Sequence, residues 1–323
     1  PSFLLFYYFV VRQLTLFLRS SRIFIPRWIM CLVMSLILGS VYYNLKPSQY
    51  ITRIASLVVV TAQVSFGQMI ELPITVLSVN VAQKHLSARY FPPWVLVYGM
   101  FIFLVPGLCM ETIIYSCVMY WMIGFYPGAA EFWTFFFMVL VTSLSVAVVF
   151  RCFGMTGNQY LAQILSSPFI GISLSFGGFF QSFNSTPHLL WELVFTSPFF
   201  WSVRSIAVSE FSSPRYDEVV TLVNDAGETV YERMGNLYLK EMDIWSDVQW
   251  IPAGMGYLFV SSAILLDLQC FIAPKRHYEQ SRGTTRFNDG VDDLLEEEGP
   301  EVDNKHLTQE EEDEELKLRL TAA

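Results

Sequence analysis

Lys84-His85-Leu86-Ser87-Ala88-Arg89-Tyr90-Phe91-Pro92-Pro93 leads into an apolar run from Trp94 to Trp121, which closes on Ile123-Gly124-Phe125. The first part is basic and aromatic. The second is long enough to cross a bilayer, since a helix needs about 20 apolar residues for about 30 Å of hydrocarbon. Pro93 suits the first turn of a helix, where a missing N–H leaves nothing unpaired. A basic loop therefore feeds a spanning helix, and such loops stay on the cytoplasmic side. That sets an orientation for the rest of the chain.

Working outward, the composition agrees. Of 323 residues, 53% are hydrophobic, 16% aromatic and only 15% charged, against about 25% charged in a soluble domain. The net charge of −9 is misplaced as a guide. Residues 289–323 hold fourteen acids and three bases, a net of −11, so the remainder carries +2. The chain starts at Pro1 and reads as a fragment or as one domain of a longer protein. Cys31, Cys109, Cys117, Cys152 and Cys270 lie in or beside apolar runs, none in CxxC spacing, and read as small core residues rather than metal ligands.

The pattern predicts an all-α membrane protein with six transmembrane helices. Residues 1–22 form an amphipathic interfacial helix with Arg12, Arg19 and Arg22 toward headgroups, or else begin the first span. The membrane domain covers 23–275. Its crossings are Trp28 to Tyr43, about Ile51 to Leu72, the run after Pro93, Phe132 to Phe150, Tyr160 to Phe180 and Trp250 to Ile272. Ile74 to Gln83 reads as a less periodic connector. Between spans five and six lies a large outer segment, 181–247. Leu189 to Ile206, interrupted by Pro198, reads as a re-entrant or interfacial pair of short helices, and Glu210 to Asp247 as an exposed polar loop. Residues 276–323 form an acidic cytoplasmic tail or linker, disordered by composition; Thr308 to Leu320 could alternatively close as a short helix. Arg12, Arg19, Arg22, Arg27, Lys84, Arg89, Arg151, Lys275 and Arg276 fall on one side, Lys46 and Arg53 on the other.

No GxxxxGK[ST] loop exists, so the chain has no phosphate cradle of its own and no catalytic residues are expected. His85, His188, His277 and His306 are scattered, and no metal site is expected. Two intramembrane acids are costly: Glu71 at the inner end of the second span and Glu111 in the third. Glu71 is read as a partner for a basic residue near the inner ends. Glu111 is either a structural hydrogen-bonding group near the kink at Pro106 or a proton-coupling group. Asn184-Ser185-Thr186 is the sole glycosylation triplet, on the predicted outer side.

Glu71-Leu72-Pro73, Lys84-His85, Tyr90, Pro92, Trp94, Pro106, Glu111, Tyr120 to Phe125, Pro127 and Phe132 follow in order. Phe176-Gly177-Gly178-Phe179, Ser197-Pro198 and Ala207-Val208-Ser209-Glu210-Phe211 come later. This set resembles the membrane domain of ATP-binding-cassette (ABC) type-two exporters of subfamily G, in the pleiotropic drug resistance group. The likeness spans about residues 3–275. Each motif is weak alone; the ordered set is specific. There are departures. Leu86 stands where an arginine is usual, residues 181–247 contain no cysteine to staple the outer loop, and its usual Ile-Pro and tryptophans shrink to Thr186-Pro187 and Trp191. The tail resembles a linker toward a second ATPase domain.

The resemblance implies a permease that moves lipophilic compounds, drugs or lipids by alternating access. Its partners are nucleotide-binding domains, a second six-span domain and membrane lipids, not nucleic acid. ATP and Mg belong to the separate nucleotide-binding domains, so the chain itself is not an enzyme. Lys84, His85 and Arg89 are then the coupling loop. Thr61, Gln63, Val64 and Phe66 on the second span, with Gly171, Leu174 and Phe176 on the fifth, line the substrate cavity. Phe179 and Phe180 form the outer gate. The expected location is multi-pass in the plasma membrane with both termini cytoplasmic. An ion- or proton-coupled carrier or channel independent of ATP is the alternative, and a membrane scaffold a third. Carriers often show repeated halves, which are absent from the sequence.

Overall fold

Helices succeed one another as α1 (Ser2–Arg19), α2 (Ser21–Val41), α3 (Tyr50–Gly67), α4 (Glu71–Ser87), α5 (Pro93–Ile123), α6 (Ala129–Gly154), α7 (Gln159–Ser175), α8 (Trp191–Thr196), α9 (Pro198–Phe211), α10 (Met234–Glu241) and α11 (Trp250–Glu297). An antiparallel hairpin of β1 (Val219–Val223) and β2 (Thr229–Arg233) precedes α10, with Val219 opposite Arg233 and Val223 opposite Thr229. The computed structural model describes residues 2–19, 21–87, 90–177, 186–223 and 229–297. Two units are distinguished, Pro1–His277 and Tyr278–Ala323.

Five helical stretches among the described residues are long and apolar enough to cross a membrane: Phe24–Val41, Tyr50–Val79, Pro93–Ile123, Ala129–Gly154 and Trp250–Ala273. The expected fifth crossing, Tyr160 to Phe180, is represented by α7, whose 17 described residues fall short of a full span by themselves. Phe179 and Phe180 lie outside the described residues.

Local chemistry fixes the helix ends. Pro92 is extended and Pro93 occupies the first turn of α5. Its other end stops at Gly124, left-handed at φ 77°, whose N–H returns to the Tyr120 carbonyl. The Asn158 side chain caps α7, accepting from the backbone N–H of Tyr160 at 3.0 Å and of Leu161 at 3.4 Å.

Packing exploits small residues at close approaches, as expected where apolar burial alone gives little drive in lipid. A Cβ on Gly99 would sit 2.2 Å from the Phe9 ring, so α1 lies directly on α5. Gly107 plays the same part under Phe24 of α2, and its carbonyl accepts from Trp28 Nε1 at 3.3 Å. The main core joins α3, α5, α6 and α9 through residues such as Leu57, Tyr115, Met138 and Val203.

Four expectations need correction. Ile74 to Gln83 is no loose connector but the body of α4, joined to α3 through a 3-10 turn at Gln68–Ile70. Pro73 stands in the first turn of α4, where it does no harm. The segment from Glu210 to Asp247 is not simply an exposed loop. It contains β1, β2 and α10, and it inserts Tyr216, Leu239 and Ile244 into the main core. Its polar composition hid these three anchors. Lys84 to Ser87, read as part of a loop, continue α4 instead, while Arg53, placed on the outer side by the charge bias, is 0% exposed. Finally, residues 278–297 are helical, where charge content pointed to disorder. The Leu189 to Ile206 reading as two short helices matches α8 and α9, broken at Ser197-Pro198. Thr308 to Leu320 lies outside the described residues.

Candidate functional site

A buried polar knot joins α2, the 3-10 turn at Gln68–Ile70, α4 and α5 within the spanning part. Arg27, inside α2 one residue after Pro26, is its centre. Its Nε donates to Glu111 Oε2 at 2.8 Å, Nη1 to Glu71 Oε1 at 3.1 Å, and Nη2 to Gln68 Oε1 at 2.6 Å. Gln68 Nε2 donates in turn to the Val64 carbonyl at 3.3 Å and to Glu111 Oε2 at 3.4 Å. Gly67 leaves room: a Cβ there would lie 3.1 Å from Glu111 Oε1. All four polar side chains are nearly shielded. A guanidinium presents its donors in a rigid fork, which is why one arginine can serve two carboxylates and an amide together. The sequence places the two acids in hydrocarbon. The structure supplies the cation that makes them tolerable there.

Beside the knot lies a recess of about 460 Å³ between α2, α3 and α5. Met30, Met34, Gln63, Val64, Phe66 and Tyr115 form much of its wall, with Arg27 and Glu111 also reaching it. Three of the expected cavity residues thus come together. Thr61 does not join them. It is buried, and its hydroxyl donates back to its own helix, to the carbonyls of Leu57 and Val58, both at 3.0 Å. On α7, Gly171 faces open space, Leu174 packs on the main core, and Phe176 is half-buried. This helix packs chiefly on α4, α6, α8 and α9, so within one chain it does not complete the recess.

Among the expected coupling residues, His85 is exposed, with its ring 6.0 Å from Tyr90 and 6.2 Å from Phe91. The Lys84 side chain, Arg89 and Asn184 lie outside the described residues.

A second ion cluster, missed in the sequence, holds the opposite ends of α3 and α5 to α9. Arg53 Nη1 donates to Glu210 Oε1 at 2.7 Å and to the Gly124 carbonyl at 3.2 Å. Tyr126 N donates to Glu210 Oε2 at 3.0 Å, and Arg215 Nη1 donates to the Gly124 carbonyl at 2.7 Å. The signal available was Arg53 itself, a basic residue at the start of an apolar run on the side that the charge bias leaves poor in bases.

Glu210 lies outside the apolar spans, and burial pushes its carboxyl above the usual range, against the opposing pull of the Tyr126 N–H, Arg53 and Arg215. Such a carboxyl holds its proton more tightly folded than unfolded. Its contribution to stability is therefore lost as pH rises from the ordinary value through the raised one. Thermal midpoints measured across that window should fall more steeply in the native chain than in Glu210→Gln.

The family described as ABC-2 type transporter matches residues 5–211. "Pleiotropic drug resistance protein 1" of Nicotiana tabacum is 24% identical over 253 residues, 76% of this chain and 17% of that protein. "ABC transporter G family member 34" of Arabidopsis thaliana is 23% identical over 292 residues, 87% of this chain and 20% of the relative. "ABC transporter G family member 40" of Oryza sativa subsp. japonica is 26% identical over 227 residues, 66% and 15% respectively. The chain spans about a fifth or less of the length of these relatives. With its apolar helices and this match, the chain is an integral membrane domain that belongs to the ABC-2 type transporter family, akin to the plant G-family pleiotropic drug resistance proteins.

Proposed function

We propose that this chain is the permease part of an ATP-driven exporter of lipophilic compounds, drugs or lipids, working by alternating access. The observation that carries this reading is the ABC-2 match over residues 5–211. The recess beside Gln63, Val64 and Phe66 supports it, since thioether and aromatic walls accept varied apolar ligands with little geometric demand. On this reading a second six-span domain, facing α3 and α7, completes the cavity that one chain leaves open. ATP and Mg bind to separate nucleotide-binding domains, which act on α1 and on the stretch that holds Lys84, His85 and Arg89, from the end of α4 toward α5. The transporter sits in the plasma membrane with both termini cytoplasmic, and Phe179 and Phe180 close the outer exit. Glu111, held by Arg27 at 2.7 Å, serves as a structural anchor on this reading.

The test is transport by the assembled transporter that contains this chain, in sealed vesicles with a lipophilic dye. Dye movement should require ATP, and Phe66→Trp, which narrows the recess, should raise the half-saturating dye concentration several-fold at unchanged membrane insertion. The paired reversal Lys84→Glu and Arg89→Glu should weaken the stimulation of ATPase activity by dye. Movement driven by a proton gradient without ATP would refute the reading.

A further inference from the structure

A second recess, of about 450 Å³, opens between α1, α4, α5 and α6 and reaches His85, near the end of α4, and Phe91, just before α5. Leu16, Ile74, Leu77, Val81 and Phe103 give it apolar walls. Arg151 of α6 also lines it and is only 5% exposed. Its Nη1 donates to the Met100 carbonyl at 3.0 Å, while its buried Nε has no hydrogen-bond partner. Among the described residues no carboxylate lies within 4 Å of it. Glu71 lines the same recess, but its Oε1 is engaged by Arg27 at 3.1 Å. Arg12 and the exposed His85 stand at the rim. A guanidinium buried with one carbonyl acceptor keeps donors unsatisfied, which is costly in an apolar setting.

We propose that this recess is a binding site for an anionic membrane lipid, distinct from the transport recess beside Arg27. The carboxylate or phosphate of the headgroup accepts from Arg151, Arg12 and His85 flank its entry, and an acyl chain lies along Leu16, Leu77 and Val81. The apolar walls favour a lipid over a free anion, which would leave them wet. The inference does not depend on the chain's being an exporter, since it rests on Arg151 and the recess alone.

The experiment uses the full chain in phosphatidylcholine nanodiscs doped with either phosphatidic acid or phosphatidylcholine carrying a photoreactive acyl chain. Labelled peptides are then mapped. Phosphatidic acid should label residues 74–81 about tenfold more than phosphatidylcholine does, the ratio expected from one charge-assisted hydrogen bond. Arg151→Gln should bring the two lipids level, and Arg151→Lys should keep part of the preference. Leu77 is 68% exposed, so Leu77→Trp can fill the recess without disturbing the core. It should abolish the labelling with Arg151 intact, which decides the matter even if Arg151→Gln does not fold. Equal labelling by both lipids, or a preference that survives both Arg151→Gln and Leu77→Trp, would overturn the proposal. Competition by millimolar inorganic phosphate as effective as that by unlabelled phosphatidic acid would overturn the lipid assignment.

Discussion

Arg27→Leu is expected to destabilise the folded chain by about 3–5 kcal/mol, the usual cost of leaving a buried charge without its partner. Leucine fits an apolar helix, so loss of helix propensity contributes little. What is lost is the single cation between Glu71 and Glu111, which hold it at 3.1 and 2.7 Å. Two carboxylates then remain in a shielded site where, among the described residues, Gln68 donates to one of them, Glu111, and one or both must take up a proton. Detergent-denaturation curves and thermal midpoints of the purified chain would measure the loss. The combined variant Arg27→Leu, Glu71→Leu, Glu111→Leu separates the knot's net worth from the cost of breaking it. Buried ion sets replaced entirely by apolar residues are often neutral or more stable. The triple variant should therefore recover most of what Arg27→Leu loses. An Arg27→Leu chain as stable as the native one would mean that the two acids are already neutral, and the knot is not an ion cluster.

Arg53→Leu should cost a comparable amount, about 3–5 kcal/mol, at the far end of the same bundle. Arg53 is fully buried and meets Glu210 at 2.7 Å. It also supplies a donor to the Gly124 carbonyl, so its loss removes an anchor from the turn that closes α5. Arg215, 3.7 Å from Glu210, remains as a weaker partner for the acid. The structural consequence should be local to the outer segment: earlier proteolysis between β1 and α10, before the rest of the bundle is cut. If the segment and the spans instead lose protection together, the cluster is part of one cooperative core rather than its outer clasp.

The spans were legible because each depends only on consecutive apolar residues. Trp94 to Trp121 announces α5 without reference to anything else in the chain. That Glu71 needs a basic partner was legible, but the identity of the partners in either ion set was not, because the members are remote in sequence. Arg27 lies 44 residues from Glu71 and 84 from Glu111, and Arg53 lies 157 from Glu210. Arg27 follows Pro26 at the edge of an apolar run, where a base ordinarily sets topology. Yet two acids in hydrocarbon require a cation, and that need pointed inward. The outer segment misled in the opposite way. Tyr216, Leu239 and Ile244 are too sparsely spaced to form a periodic stripe, so their burial shows only once the hairpin and α10 bring them under α9.

The 3-10 turn at Gln68–Ile70 carries a geometric implication. The backbone stays right-handed helical at Gly67 and Glu71, so α3 runs on into α4 where Arg27 holds Gln68 and Glu71. With 17 residues, α4 is about 25 Å long at 1.5 Å per residue. Its far end, near His85, is thus well removed from the ion set that ties its first turn to α2 and α5. Winding tightened to three residues per turn over this short stretch shifts the angular register, so α4 turns its side chains toward other neighbours than a straight run of α3 would give them.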